Sequence, residues 1–181
     1  MANGRFAPSP SGPLHLGNLR TAMLAWLFAR SSNGRLAMRT EDLTTGAAPV
    51  AEAEQLGDLA EIGLTWDGPI TRQSEHAERY RSALMQLEDE GRTYPCFCSR
   101  REIREAAAAP HGEVGLGAYP GSCRTLGSVE RERRAESRPP ALRLDAGAAE
   151  VQVTDALKGP LTSTVDDFVL RRGDGVAAYN L

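Results

Sequence analysis

Residues 5–18 read Arg5-Phe6-Ala7-Pro8-Ser9-Pro10-Ser11-Gly12-Pro13-Leu14-His15-Leu16-Gly17-Asn18, and this stretch decides the fold. Gly4 to Ala7 is an extended run, and the prolines at 8, 10 and 13 make a stiff turn, because each fixes its own φ and restricts the residue before it. A helix is expected next, since Leu19, Ala22, Met23, Trp26 and Leu27 recur with the period of a buried helical face and Asn33-Gly34 supplies a stop. A strand that runs through a rigid turn into a helix N-terminus is an anion-binding arrangement. Unpaired backbone N–H groups and the positive end of the helix dipole favour phosphate there. Gly17 would permit close approach, and His15 can donate to a charged oxygen; the bland alternative is a proline-rich capping loop with a solvated histidine.

Beyond this element, Arg35 to Arg39 is expected to be a strand. Val50, Ala53, Leu56, Leu59 and Ala60 mark a second helix ending near Gly63. Strand, helix, strand, helix argues for an α/β fold with a parallel sheet, whose ligands bind at the carboxyl ends of strands. Asp67-Gly68-Pro69 is a turn, and a third helix from about Ser74 to Glu90 buries Tyr80, Ala83, Leu84 and Leu87, with His76 on its surface. Residues 41–70 carry seven acidic side chains and no basic ones, whereas residues 99–143 hold nine arginines against six glutamates. That change of character points to an insertion. Ala141 to Asp145 and Glu150 to Thr154 read as strands leading back to the first sheet, and Asp167 to Arg172 and Val176 to Leu181 flank a hairpin turn at Gly173-Asp174-Gly175. The expected organisation is 1–91 as the first half of a catalytic domain, 92–145 as an insertion and 146–181 as the return.

The 181 residues, 41% hydrophobic and 25% charged, exclude disorder, collagen-like repeats and a membrane span. A net charge of -3 leaves any polyanion to be met by a local patch. The prolines after residue 7 interrupt any leader pattern, so a cytoplasmic protein is expected. Three cysteines suit a metal better than a disulfide framework. Cys96-Phe97-Cys98 followed by Cys123 has the spacing of a structural zinc site with four ligands; composition alone nominates His111 as the fourth. Ser99 with Glu102 forms a capping box ahead of Arg100, Arg101 and Arg104, which either meet nucleic-acid phosphates or form a solvated face with Glu102 and Glu105.

The stretch from Arg5 to Asn18 resembles the signature of class I aminoacyl-tRNA synthetases in the form used by the glutamyl group, with Asn18 where many class I enzymes carry a second histidine. Arg39-Thr40-Glu41-Asp42, Leu64-Thr65-Trp66-Asp67 and the run from Asp166 to Leu181 extend the likeness; the family has a second aspartate at the place of Thr44. Within that group the wording is similar to the glutamyl-Q tRNA(Asp) synthetase family. The resemblance implies a Rossmann-like sheet with a zinc-binding insertion, activation of L-glutamate by ATP and Mg2+, and transfer to the queuosine base in the anticodon of tRNA(Asp). It implies that Arg5, Phe6, Ala7, Pro8, Ser9, Glu41 and Tyr179 bind glutamate, that His15, Gly17 and Asn18 hold ATP, and that His15 and Asn18 serve the chemistry. It also implies Tyr119, with Cys96, Cys98 and Cys123, as the ligands of one structural zinc, against His111 from composition. A monomer is expected.

The second class I signature, a lysine-rich loop, is not in these 181 residues, whose one lysine is Lys158. The chain therefore reads as the N-terminal portion of such an enzyme, expected to activate glutamate poorly by itself. The N-terminal part of an ordinary glutamyl-tRNA synthetase charging tRNA(Glu), and a non-catalytic zinc and RNA-binding module, are the other two readings.

Overall fold

A computed structural model describes residues 3–43, 46–107 and 119–181. His111 and Thr44 lie outside the described residues, as does the side chain of Arg104. The chain divides into two compact units, Met1–Glu78 and Arg79–Leu181.

In the first unit β1 (Gly4–Phe6), β2 (Leu36–Thr40) and β3 (Thr71–Arg72) form a parallel sheet in the order β1-β2-β3, joined by α1 (Leu16–Ser31) and α2 (Pro49–Glu61). This is the expected α/β alternation. β2 reads Leu-Ala-Met-Arg-Thr and buries every second residue, Leu36, Met38 and Thr40, as a strand must. α2 starts with Pro49 at its first turn, where no intrahelical donor is lost. Asn33 takes a left-handed φ of 53° and ends α1 where the Asn-Gly pair predicts. Phe6, Ala22, Met38, Leu59 and Leu64 make the core, flanked by Leu14, Leu19, Trp26, Leu56, Trp66 and Ile70.

Two expectations shift. Met23 and Leu27 of α1 are 45% and 48% exposed, and the buried positions are Ala22 and Ala29. The reason is proximity. A β-carbon on Gly4 would lie 3.0 Å from the Ala25 carbonyl oxygen and 3.3 Å from the Ala29 β-carbon, so the helix can meet β1 only through small residues. The third helix also starts later than expected. Gln73–His76 is a turn of 3-10 helix, and α3 runs Ala77–Asp89. The early turn is fixed by a distant partner, the Asp42 carboxylate, which accepts from the Ser74 N–H at 2.9 Å and from its hydroxyl.

In the second unit β4 (Thr93–Cys96), β5 (Ala141–Leu144) and β8 (Val169–Arg171) form an antiparallel sheet, while β6 (Glu150–Asp155) and β7 (Gly159–Thr164) make a hairpin. α4 is Arg100–Ala107 and α5 is Ser128–Ser137. Ala141 and Glu150 thus begin strands as expected, but β5 pairs with β4 and β8, and β6 with β7. The β6 partner is the adjacent run because the Asp155 carboxylate accepts from Leu157 N and Lys158 N and closes the turn. Leu84, Leu142 and Leu170 form one core cluster. Tyr94, Cys96, Phe97, Tyr119 and Cys123 form another. The Gly173 turn carries an Arg171–Ala177 antiparallel bridge, as the hairpin expectation requires. No helix among the described residues is long and apolar enough to cross a membrane.

Candidate active site and metal centre

The loop that leaves the carboxyl end of β1 has three prolines and therefore few N–H groups to bond within itself. Its carbonyls are held from outside. Glu41 N donates to Pro8 O at 2.9 Å, Ala48 N to Pro10 O at 3.0 Å, and the buried Gln55 donates from Nε2 to Ser9 O at 3.0 Å and Gly12 O at 2.5 Å. The loop so anchored walls a cavity of about 590 Å3 lined by Arg5, Phe6, Ala7, Pro8, Ser9, Ser11, Gly12, Pro13, Leu14, His15, Asn18, Thr21 and Gln55.

His15 is the N-cap of α1. Its Nδ1 accepts from Gly17 N at 3.0 Å and Asn18 N at 3.3 Å, while Asn18 Oδ1 accepts from His15 N at 3.1 Å. An accepting Nδ1 puts the neutral ring's proton on Nε2, which leaves Nε2–H as a donor for an anion. The structure thus modifies the sequence reading: two of the helix-end N–H groups expected to meet phosphate are already capped by the histidine itself. Gly17 also serves the cap itself. A β-carbon there would lie 2.9 Å from His15 Cε1 and 3.0 Å from Nδ1, so the glycine makes room for the capping imidazole.

Arg5, also on the cavity wall, is exposed and lies close in sequence to Ser9. Glu41 does not line the cavity; its carboxylate, 15% exposed, accepts from Arg39 Nε at 2.8 Å and from Gln73 Nε2 at 3.0 and 3.2 Å. Arg5, Phe6, Ala7, Pro8, Ser9, His15 and Asn18 are therefore brought together around one cavity. Tyr179 belongs to the second unit, where it is 80% exposed. Sequence reasoning missed Gln55, Gln73 and the role of Arg39. The available signal was a glutamine at position 55 one turn before Leu59, on the apolar stripe of α2.

The second constellation lies within the second unit. The sulfur atoms of Cys96, Cys98 and Cys123 all lie within 4.8 Å of one another, Cys98 and Cys123 at 3.5 Å. The Tyr119 hydroxyl is 3.3 Å from Cys96 Sγ and 3.6 Å from Cys98 Sγ, and accepts from Cys123 N at 2.9 Å. Four ligands around a zinc ion sit about 3.5 to 3.8 Å apart, so this donor set fits a tetrahedral ion. Burial pushes the Cys98 thiol up to about 12 despite its hydrogen bond to Tyr119. The Tyr119 phenol is raised by burial and then by its contacts with the thiols. At Cys123 the hydrogen bonds from Tyr119 and Phe97 N overcome burial and lower it. A divalent cation is what would hold such buried acids in their anionic form.

Asp166 and Asp167 hold this cluster in place. Asp166 accepts from Tyr119 N at 3.0 Å, and the buried Asp167 accepts from Tyr94 OH, from Arg124 Nε at 3.0 Å and from Ala146 N at 3.0 Å. Those partners, Tyr94 and Arg124 first, hold the Asp167 carboxyl below its ordinary value against the effect of burial. Arg143 donates to Asp167 O and stacks 3.8 Å from the Tyr119 ring centroid. The Ser99–Glu102 capping box forms as expected, with bonds of 2.6 and 3.2 Å at the start of α4.

Comparison with known proteins gives three findings. The family described as tRNA synthetases class I (E and Q), catalytic domain, matches residues 2–181. A glutamyl-Q tRNA(Asp) synthetase of Nocardia farcinica is 57% identical over 98% of this chain, and that of Rhodobacter capsulatus is 41% identical over 98% of it and is itself covered to 69%. The crystal structure of a glutamate-tRNA synthetase from Elizabethkingia anophelis superposes with a TM-score of 0.73 at 29% identity, over 98% of this chain and 40% of that one. The chain spans 57% of the length of the Nocardia relative.

Proposed function

The chain belongs to the class I tRNA synthetase (E and Q) catalytic-domain family, and on that premise we propose that it is the substrate-binding part of an enzyme that activates L-glutamate with ATP and transfers it to queuosine in the anticodon of tRNA(Asp). The observation that carries this reading is one cavity lined by Arg5, Ser9 and His15, the last being the N-cap of α1. In it, Arg5 holds the side-chain carboxylate of glutamate in a two-bond fork, with the Ser9 hydroxyl beside it. Phe6, Ala7 and Pro8 form the wall. The family resemblance gives Glu41, turned by Arg39 and Gln73, the substrate ammonium, and gives Tyr179 a glutamate-binding role.

His15 Nε2–H and the end of α1, with Gly17 and Asn18, steady the ATP phosphates. The α-carboxylate of glutamate attacks the α-phosphorus, pyrophosphate leaves, and the mixed anhydride then acylates the queuosine base with release of AMP. Arg5, Ser9 and His15 work by positioning and charge stabilisation, with no covalent intermediate on the protein. Mg2+ accompanies ATP. The 181 residues alone, having no lysine-rich loop, turn over poorly. Residues 92–145 form an insertion pinned by one structural zinc, with Cys96, Cys98, Tyr119 and Cys123 as ligands; the ion's contribution is to cross-link the segment. The protein works in the cytoplasm, as a monomer.

The test uses the full encoded chain with labelled glutamate and ATP, first without tRNA and then with queuosine-containing tRNA(Asp) or with tRNA(Glu). Activation without tRNA, followed by label on tRNA(Asp) that survives periodate treatment of the 3' end, is the expected result. Activation that needs tRNA(Glu), with label at its 3' end, would assign the chain to an ordinary glutamyl-tRNA synthetase instead. Zinc binding with no glutamate-dependent pyrophosphate exchange under any condition would leave the non-catalytic module.

A further inference from the structure

We infer that Gln55 is a positioning residue for the glutamate end of the cavity, a role that rests on the function proposed above. Its side chain lies 3% exposed beneath the signature loop, and it lines the cavity. One amide nitrogen makes both bonds, to Ser9 O at 3.0 Å and Gly12 O at 2.5 Å, and so clamps the two ends of the Ser9-Pro10-Ser11-Gly12 turn to α2. The other end of the amide is left over. Gln55 Oε1 is buried with no hydrogen-bond partner among the described residues. A buried acceptor without a partner is unfavourable and rare in a folded protein. It persists because the opposite amide orientation would set an oxygen against two carbonyl oxygens. The clamp therefore fixes the rotamer, and the orphaned acceptor is the consequence.

The loop needs such a donor. Pro8, Pro10 and Pro13 have no N–H, and within the turn Ser11 N to Ser9 O at 2.9 Å is the one backbone bond described. The phosphate end is held by a separate device, since His15, Gly17 and Asn18 are fixed by their own capping box. Loss of the Gln55 bonds should therefore displace the Ser9 hydroxyl and leave the helix end in place. The two halves of the cavity respond independently.

Replacement of Gln55 by Met keeps the length and volume and removes the donor; Gln55→Glu keeps the shape and turns an oxygen toward the two carbonyls. In glutamate-dependent pyrophosphate exchange by the full encoded chain, Q55M should raise the KM for glutamate roughly 10-fold, taking two hydrogen bonds of ordinary net strength. The KM for ATP should stay within about twofold, and Q55E should be at least as impaired as Q55M toward glutamate. Hydrogen exchange supplies a readout independent of activity: the Ser11 amide, bonded to Ser9 O, should exchange faster in Q55M, while those of Gly17 and Asn18 keep their protection. A Q55M protein with unchanged loop exchange, or with both KM values raised alike, overturns the inference. If the wild-type chain shows no glutamate-dependent exchange, the proposed function fails by itself and the amide readout still decides whether Gln55 clamps the loop. Should Q55M not fold, Gln55→Asn, one methylene too short for the clamp, carries the same two measurements.

Discussion

Replacing Gly17 by Ala tests whether the glycine of the signature serves the histidine. A β-carbon at 17 would stand 2.9 Å from Cε1 and 3.0 Å from Nδ1 of His15, closer than a methyl group and an imidazole can come. Gly17 has an ordinary helical φ, since it is absent from the positive-φ positions, so the backbone itself accepts alanine. In the wild-type background the ring must swing away and give up its bonds to Gly17 N and Asn18 N, a loss of about 1 kcal/mol for a helix cap. In a His15→Ala background there is no ring to displace, and Gly17→Ala should instead stabilise by about 0.5 to 1 kcal/mol through the entropy of the unfolded chain. A double-mutant cycle followed by urea denaturation should thus return a coupling of about 1 kcal/mol, above the roughly 0.3 to 0.5 kcal/mol within which independent sites add. Urea midpoints that shift by the same amount in both backgrounds would refute the reasoning.

Arg5→Ala removes two charge-assisted bonds to the substrate carboxylate and should raise the KM for glutamate on the order of 100-fold with the ATP KM little changed, as steady-state pyrophosphate exchange will show. Metal analysis after dialysis should find one zinc per chain. Cys123→Ser and Tyr119→Phe should each weaken chelator-resistant binding, whereas His111→Ala should leave it intact; loss of zinc in the His111 variant would move the fourth ligand there. Asp167→Asn removes the buried carboxylate that Tyr94 and Arg124 bond and should destabilise by about 1 to 3 kcal/mol in equilibrium unfolding, Arg124 keeping Asp145 at 3.4 Å. Because the folded-state pKa of Asp167 is depressed from its model-compound value of 3.8, its stabilisation is present above that value and lost as pH falls through the lower folded pKa. The wild-type protein should therefore lose stability more steeply than the Asn variant as pH falls below about 4, and parallel acid-unfolding curves would contradict this.

The parallel sheet was legible because its evidence is local. The Pro8–Pro13 turn, the period of the apolar residues in α1 and the Asn33-Gly34 stop each act over a few residues, and all three agree. The burial on α1 was misjudged at Met23 and Leu27 because periodicity ranks size and apolarity, whereas the contact with Gly4 of β1 selects Ala29 for smallness. β7 was missed for a similar reason. Gly159-Pro160 reads as turn chemistry, yet Pro160 opposes Thr154 in a hairpin exposed along nearly its whole length, where a strand tolerates proline. At the candidate site, His15 and the three cysteines stood out by type and spacing, and Arg5 and Ser9 through the resemblance of residues 5–18 to the class I signature. The residues that hold them did not, because Gln55, Gln73 and Asp167 act on partners 21 to 73 positions away.

By itself the sequence determined the α/β alternation, the place of the cavity at the end of the first strand and the presence of a thiol cluster. Those follow from φ restriction by proline, from helical period and from ligand chemistry, all properties of neighbouring residues. The tertiary structure decided what each group is free to do. It spent the His15 Nδ1 on the helix cap and left Nε2–H for an anion, turned Glu41 with Arg39 and Gln73, and gathered Tyr119 with three sulfur atoms under Arg143. A side chain's remaining hydrogen-bonding capacity depends on which distant donors and acceptors have already met it, and only the folded chain brings those together.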